Sequence, residues 1–134
     1  MLPRFLLDTH IVVRWLSEPR RLSREQTRIL ENAERTGELL AVSDVSLLEI
    51  GVLLADKRHR FRSTPVELLG MLNRNPAFQF LPITIDIATE VATMGGPLTD
   101  PADRAIVATA RVHRLRLVTS DQRIIESKLV SVVD

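Results

Sequence analysis

Short apolar runs alternate along this chain with longer stretches in which apolar residues recur every three or four positions. Phe5-Leu6-Leu7 suits a buried strand, and Ile11-Val12 with Trp15-Leu16 then turns to a helical period. Ser17 to Leu22, with Pro19 inside, reads as a turn, and Ser23 can cap a mixed-charge helix over Arg24 to Arg35 that ends near Gly37. Leu39 to Val42 predicts a second strand, followed by Ser43 as the cap of a helix from Val45 to Asp56. Pro65 opens a helix through Met71, Phe78 to Ile83 makes a third strand, and Asp86 to Met94 makes a helix closed by Gly95-Gly96-Pro97. Asp100, Pro101 and Asp103 suit the N-cap, first position and acidic third position of a helix ending around Arg114. Leu115 to Thr119 is a fourth strand and Val130 to Val133 a short fifth. Strands alternating with helices predict an α/β fold with a mostly parallel sheet, whose strand C-terminal ends share one edge where ligands bind.

With 134 residues and 45% hydrophobic content, the chain is expected to form a single domain over residues 1–134 that buries one core. The absence of cysteine excludes disulfides and thiolate metal sites and favours an intracellular setting. No apolar run approaches the roughly 20 residues that span a bilayer, and Arg4 and Asp8 interrupt the N-terminus before a signal-peptide core can form. A soluble, cytoplasmic protein with no membrane contact is expected. The net charge is +1, but sixteen of the eighteen basic residues are arginine. That bias suits phosphate binding and equally suits GC-rich coding. The one dense basic cluster, Lys57-Arg58-His59-Arg60-Phe61-Arg62, fits either a nucleic-acid path or a solvated turn.

The acids change the picture more. Asp8 and Asp121 fall at the ends of predicted strands, where each can also cap the helix that follows. Glu49 lies inside Val45-Ser46-Leu47-Leu48-Glu49-Ile50-Gly51-Val52-Leu53-Leu54, with no Lys or Arg three or four positions away. A helix apolar on nearly all sides is expected to be buried, and a buried carboxylate needs a distant arginine, a proton or a metal. Asp103 opens the helix leading into the fourth strand, so Asp8, Glu49, Asp103 and Asp121 can meet in one cleft. Carboxylates that converge repel each other, and Mg²⁺ or Mn²⁺ suits such an all-oxygen site. The cluster fits metal-assisted phosphodiester cleavage by an activated water, which needs no histidine base.

Phe5-Leu6-Leu7-Asp8-Thr9-His10 with Trp15-Leu16, Ser43-Asp44-Val45-Ser46-Leu47-Leu48-Glu49-Ile50, Asp100-Pro101-Ala102-Asp103-Arg104 and Leu117-Val118-Thr119-Ser120-Asp121 together resemble the successive motifs of PIN-domain ribonucleases. They look most like the VapC toxins of bacterial and archaeal type II toxin–antitoxin pairs, in order and over almost the whole chain. The resemblance implies a three-layer α/β/α fold and Mg²⁺- or Mn²⁺-dependent endoribonuclease activity on RNA. It also implies a homodimer and an antitoxin that blocks the site. On matched positions Asp8, Glu49 and Asp103 are the core acids and Asp121 the more variable fourth. Asp100 fits the Asp-Pro-x-Asp form of the motif, as helix cap or outer-shell group. Ser43 and Thr119 fall on small hydroxyl positions, where they orient ligands or simply cap and turn the chain. Related sequences often carry a histidine shortly before Asp-Pro-x-Asp, whereas this chain has Gly96-Pro97-Leu98-Thr99.

Three other classes compete. A nuclease built on His10 and His113 lacks evident partners for either histidine. A receiver-type phosphoacceptor expects a paired acid early in the chain and a lysine after a late strand, and neither Asp8's neighbours nor Lys128 supplies them. A non-catalytic RNA- or protein-binding PIN module is expected to lack one or more of the acids that are all present here.

Overall fold

A computed structural model describes residues 2–58 and 61–134. Five parallel strands, β1 (Phe5–Leu7), β2 (Leu40–Ser43), β3 (Phe78–Leu81), β4 (Arg116–Val118) and β5 (Val132–Val133), form one sheet in the order β3-β2-β1-β4-β5. Among the described residues seven α-helices connect them: α1 (Thr9–Ser17), α2 (Arg24–Thr36), α3 (Asp44–Ala55), α4 (Pro65–Arg74), α5 (Ile85–Thr93), α6 (Pro101–His113) and α7 (Gln122–Ser127). Among the described residues no helix is long and apolar enough to cross a membrane.

Side chains alternate across the sheet as strand geometry requires. Phe5, Leu7, Leu40, Val42 and Val118 pack on one face with Ile11, Ile29, Leu30, Ile50, Leu68 and Leu72 from α1 to α4. Leu6, Ala41 and Leu117 pack on the other with Ile106, Val107 and Ala110 of α6 and Ile124 of α7. The result is the expected α/β/α layering. The chain builds outward from β1 to β2 and β3, then crosses to the opposite side for β4 and β5. The strand order therefore reverses between β1 and β4, and the crevice beyond their C-terminal ends is where an open parallel sheet places a ligand.

Local signals start and stop the elements near their expected positions. Ser23 and Gln26 form a reciprocal capping box at the start of α2, and Gly37 ends that helix in the left-handed conformation at φ 75°. Asp100 caps α6 ahead of Pro101. Two expectations are corrected. Helix α7 was not foreseen, because six residues holding Ile124 and Ile125 are too short to show a helical period. Helix α3 is not buried on all sides: Ser46 and Ile50 are its buried residues, while Leu48 is 69% and Val52 62% exposed. An apolar pattern reports surface that favours leaving water, not the element that will cover it.

Candidate active site

Asp8 leaves β1 in extended backbone and caps α1, its Oδ1 accepting from the Thr9 amide at 2.8 Å. Its Oδ2 accepts from the Thr119 hydroxyl at 2.7 Å, and that same hydroxyl oxygen accepts from the Asp121 amide at 3.1 Å. Thr119 is fully buried, so one small side chain fastens the ends of β1 and β4 together. The Thr9 hydroxyl donates to Glu49 Oε1 at 2.5 Å, which leaves its oxygen to accept from Ser46, 2.8 Å away. Asp8 and Glu49 are thus joined through consecutive donors of one residue, the Thr9 amide and hydroxyl.

The other two acids are held differently. Asp103 is buried in the first turn of α6, and its amide donates to Asp100 Oδ1 at 2.9 Å. Asp121 caps α7, accepting from the Arg123 amide at 2.9 Å. The exposed Arg123 guanidinium then reaches back, its Nη2 lying 3.1 Å from Asp121 Oδ2 and 3.4 Å from Asp103 Oδ2.

These positions set the protonation of the group. Burial, followed by the carboxylates of Asp100, Asp8 and Asp121, pushes Asp103 up to about 6 against the pull of Arg123. Burial also raises Glu49, opposed by the Thr9 hydroxyl and reinforced by Asp8 and Asp100. Asp121 runs the other way: burial opposes ionisation, but the hydrogen bonds and charge of Arg123 outweigh it and lower the pKa. Asp8 raises both Glu49 and Asp103, and Asp121 raises Asp103, so the four acids predicted from sequence are linked through Asp8 and Asp103 near the reversal of strand order.

The donor set consists of hard carboxylate oxygens whose like-charge repulsion Arg123 relieves only in part, which is the chemistry a divalent cation answers. Among the described residues no three acidic or histidine side chains stand together closely enough to hold a metal between them.

Asp100 is exposed and acts as the α6 cap. Ser43 is buried and caps α3 through the Val45 amide at 3.2 Å, while Thr119 orients Asp8 directly. The expectation that His10 lacks partners is overturned, because strand order brings residues 10 and 120 together: His10 Nε2 accepts from the Ser120 amide at 2.9 Å, and Nδ1 lies 3.5 Å from Asp8 Oδ2. Burial lowers the His10 pKa more than Asp8 raises it. His113 is exposed at the far end of α6 from Asp103. Of the basic cluster, His59 and Arg60 lie outside the described residues; Phe61 and Arg62 line a groove of about 880 Å³ with Arg20 and Arg21. Sequence reasoning missed Gln26, Ser120 and Arg123. Gln26 carried a local signal as the third residue after the Ser23 cap, and Arg123 as the second after a capping aspartate.

The PIN domain family model matches residues 5–128. The chain is 36% identical over 120 residues to "Ribonuclease VapC22" of Mycobacterium tuberculosis, covering 89% of this chain and 88% of that protein. Similar folds occur in the crystal structure of FitAcB from Neisseria gonorrhoeae, with TM-score 0.72 and 22% identity over 97% of this chain and 96% of that one. The DNA-bound VapBC of Salmonella typhimurium gives TM-score 0.71 and 19% identity over 99% and 98%.

Proposed function

The chain belongs to the PIN-domain family, and from that membership we propose that it is a metal-dependent endoribonuclease acting as the toxin of a toxin–antitoxin pair. The observation that carries the reading is Asp103, buried near the point of reversed strand order and pushed up to about 6 by burial and by the carboxylates of Asp100, Asp8 and Asp121. The similarity to Ribonuclease VapC22 supports RNA as the substrate.

In this reading residues 1–134 act as one domain, and Asp8, Glu49, Asp103 and Asp121 would hold Mg²⁺ or Mn²⁺ directly or through its waters. The bound cation would supply charge neutralisation at the phosphodiester and a water of lowered pKa. The protein's own part is orientation. Thr119 and the Thr9 amide fix the two oxygens of Asp8, and the Thr9 hydroxyl fixes Glu49. Asp103, pushed up to about 6 by burial and neighbouring carboxylates, is an acid that a nearby positive charge would help to ionise. Arg123 already bridges Asp103 and Asp121, so a guanidinium fits this side of the cleft. That supports an antitoxin that inhibits by inserting a basic side chain there. The outward Leu47, Leu48 and Val52 of α3 support a homodimer.

The test is cleavage of a mixed RNA pool with Mg²⁺, Mn²⁺ or EDTA, with Asp8→Asn as control. Cleavage that depends on added metal and disappears in the folded variant is expected. Cleavage that survives EDTA, or that Asp8→Asn retains, overturns the assignment.

A further inference from the structure

The segment Thr119-Ser120-Asp121 is short connecting chain between β4 and α7, yet each of its residues is tied to another group. Thr119 donates its hydroxyl to Asp8 Oδ2 at 2.7 Å, and Asp121 donates its amide to Thr119 Oγ1 at 3.1 Å. Ser120, between them, is gripped from two other helices. Its amide donates to His10 Nε2 of α1 at 2.9 Å, and its hydroxyl oxygen accepts from Gln26 Nε2 of α2 at 2.9 Å.

Both partners are specific to these bonds. Gln26 is fully buried, and its Oε1 accepts from the Ser23 amide at 2.9 Å, completing the α2 capping box. Glutamate performs that capping task equally well, but only an amide has an N–H left to donate to Ser120. Because His10 Nε2 accepts a hydrogen bond, the ring proton of neutral His10 sits on Nδ1, on the side facing Asp8 Oδ2 at 3.5 Å. The chain of contacts runs from α2 through Gln26, Ser120 and His10 to Asp8, parallel to the direct tie through Thr119.

We propose that His10 and Gln26 are positioning residues for the acidic cleft: by fixing Ser120 they hold the segment that carries Thr119 and Asp121 in register with Asp8. The catalytic consequence rests on the nuclease reading above; the positioning itself does not. Groups of this kind, one shell behind charged ligands, typically change affinity or activity by about 10- to 100-fold when removed.

The experiment compares His10→Gln, His10→Asn and His10→Ala, with Gln26→Met as a volume-conserving second site. A glutamine amide offers an acceptor near the place of imidazole Nε2, whereas asparagine reaches only the place of Nδ1. In metal-free protein, hydrogen exchange at the Ser120 amide should stay slow in wild type and His10→Gln and rise by about tenfold or more in His10→Asn and His10→Ala. Mg²⁺ calorimetry should show weakened binding in His10→Asn, His10→Ala and Gln26→Met, with affinity recovered in His10→Gln. On RNA, kcat should fall by about 10- to 100-fold in the same three variants at unchanged KM, again recovering in His10→Gln. Equal losses in His10→Gln and His10→Asn, or wild-type Ser120 exchange in all three His10 variants, would overturn the positioning role. If wild type cleaves no RNA with any divalent cation, the nuclease reading falls, and exchange and calorimetry still decide the role of His10 and Gln26.

Discussion

The two ends of the sheet treat buried carboxylates in opposite ways. At the N-terminal edge, Glu38 lies just before β2 and Arg4 just before β1. Arg4 Nε and Nη2 donate to Glu38 Oε1 and Oε2 at 2.6 and 2.8 Å, and this bidentate grip lowers the glutamate's pKa despite its burial. At the C-terminal edge, partial burial raises the pKa of Glu49 and the carboxylates of Asp8 and Asp100 add to it, while the hydroxyl that Thr9 donates opposes them without cancelling the rise. Asp103 rises further, to about 6, with the exposed Arg123 as a 3.4 Å partner. The chain neutralises a buried acid with a dedicated arginine where only structure is at stake. At the other edge Asp8, Glu49 and Asp103 are left with hydroxyls, one another and a single exposed arginine, and it is this less neutralised charge that the proposed cation would answer.

The sharpest way to break that contrast is to remove an acid from the crowded edge. Asp103→Asn should bring metal-dependent RNA cleavage to background with the fold intact, while Asp100→Asn should lose much less, because asparagine still caps α6. Rates and circular dichroism check both; equal losses would show that the pair is misassigned.

Acidity reads the same contrast without metal. Asp103 is pushed from 3.8 up to about 6, so the folded state binds its proton more tightly than the unfolded chain does. Its contribution is fully present below pH 3.8 and is lost as pH rises through about 6. After allowance for solvent screening, the loss is roughly 1–2 kcal/mol. Glu38, with a depressed pKa, contributes above its unfolded value of 4.5 and loses that contribution as pH falls through its folded value. Melting curves in EDTA should show Asp103→Asn flattening the decline between about pH 4 and 6, and Arg4→Gln removing the loss on the acid side.

Near neutral pH in EDTA, charge removal should have opposite signs at the two edges. Glu49→Gln should raise the melting temperature, because it deletes a carboxylate that desolvation and like charges disfavour. Arg4→Gln should lower it, because Glu38 keeps its buried charge without its partner. Shifts of the same sign would mean that Glu49 has a structural counter-ion.

The smallest effect is expected at Arg123, whose exposed guanidinium is screened by solvent. Arg123→Gln should tighten Mg²⁺ binding by a few-fold in calorimetry, since it removes a cation competing for Asp103 and Asp121. Weaker Mg²⁺ binding would instead make Arg123 a support for those carboxylates.

Much of this protein is written locally. Ser23 with Gln26, Ser43, Asp100 with Pro101, and Gly37 each start or stop a helix through hydrogen bonds that span a few residues, so their sequence signals are sufficient. The alternation of strand and helix fixed a parallel sheet, and with it the shared edge on which Asp8 and Asp121 stand. Strand lengths were less legible: β3 stops at Leu81 and β5 begins at Val132, because pairing needs a neighbour and not merely an apolar run. Helix α3 shows the same limit, since its composition signals apolar surface on every side while packing buries Ser46 and Ile50 and covers Val45 and Leu54 only in part. What the tertiary structure alone decided is which distant groups meet. Thr119 reaches Asp8 across 111 positions, Ser120 reaches His10 across 110 and Gln26 across 94, and Arg123 reaches Asp103 across 20. Those contacts depend on strand order and on the side of the sheet each crossover takes. Both are settled by how the whole chain buries its apolar faces, and no window of neighbouring residues contains that information.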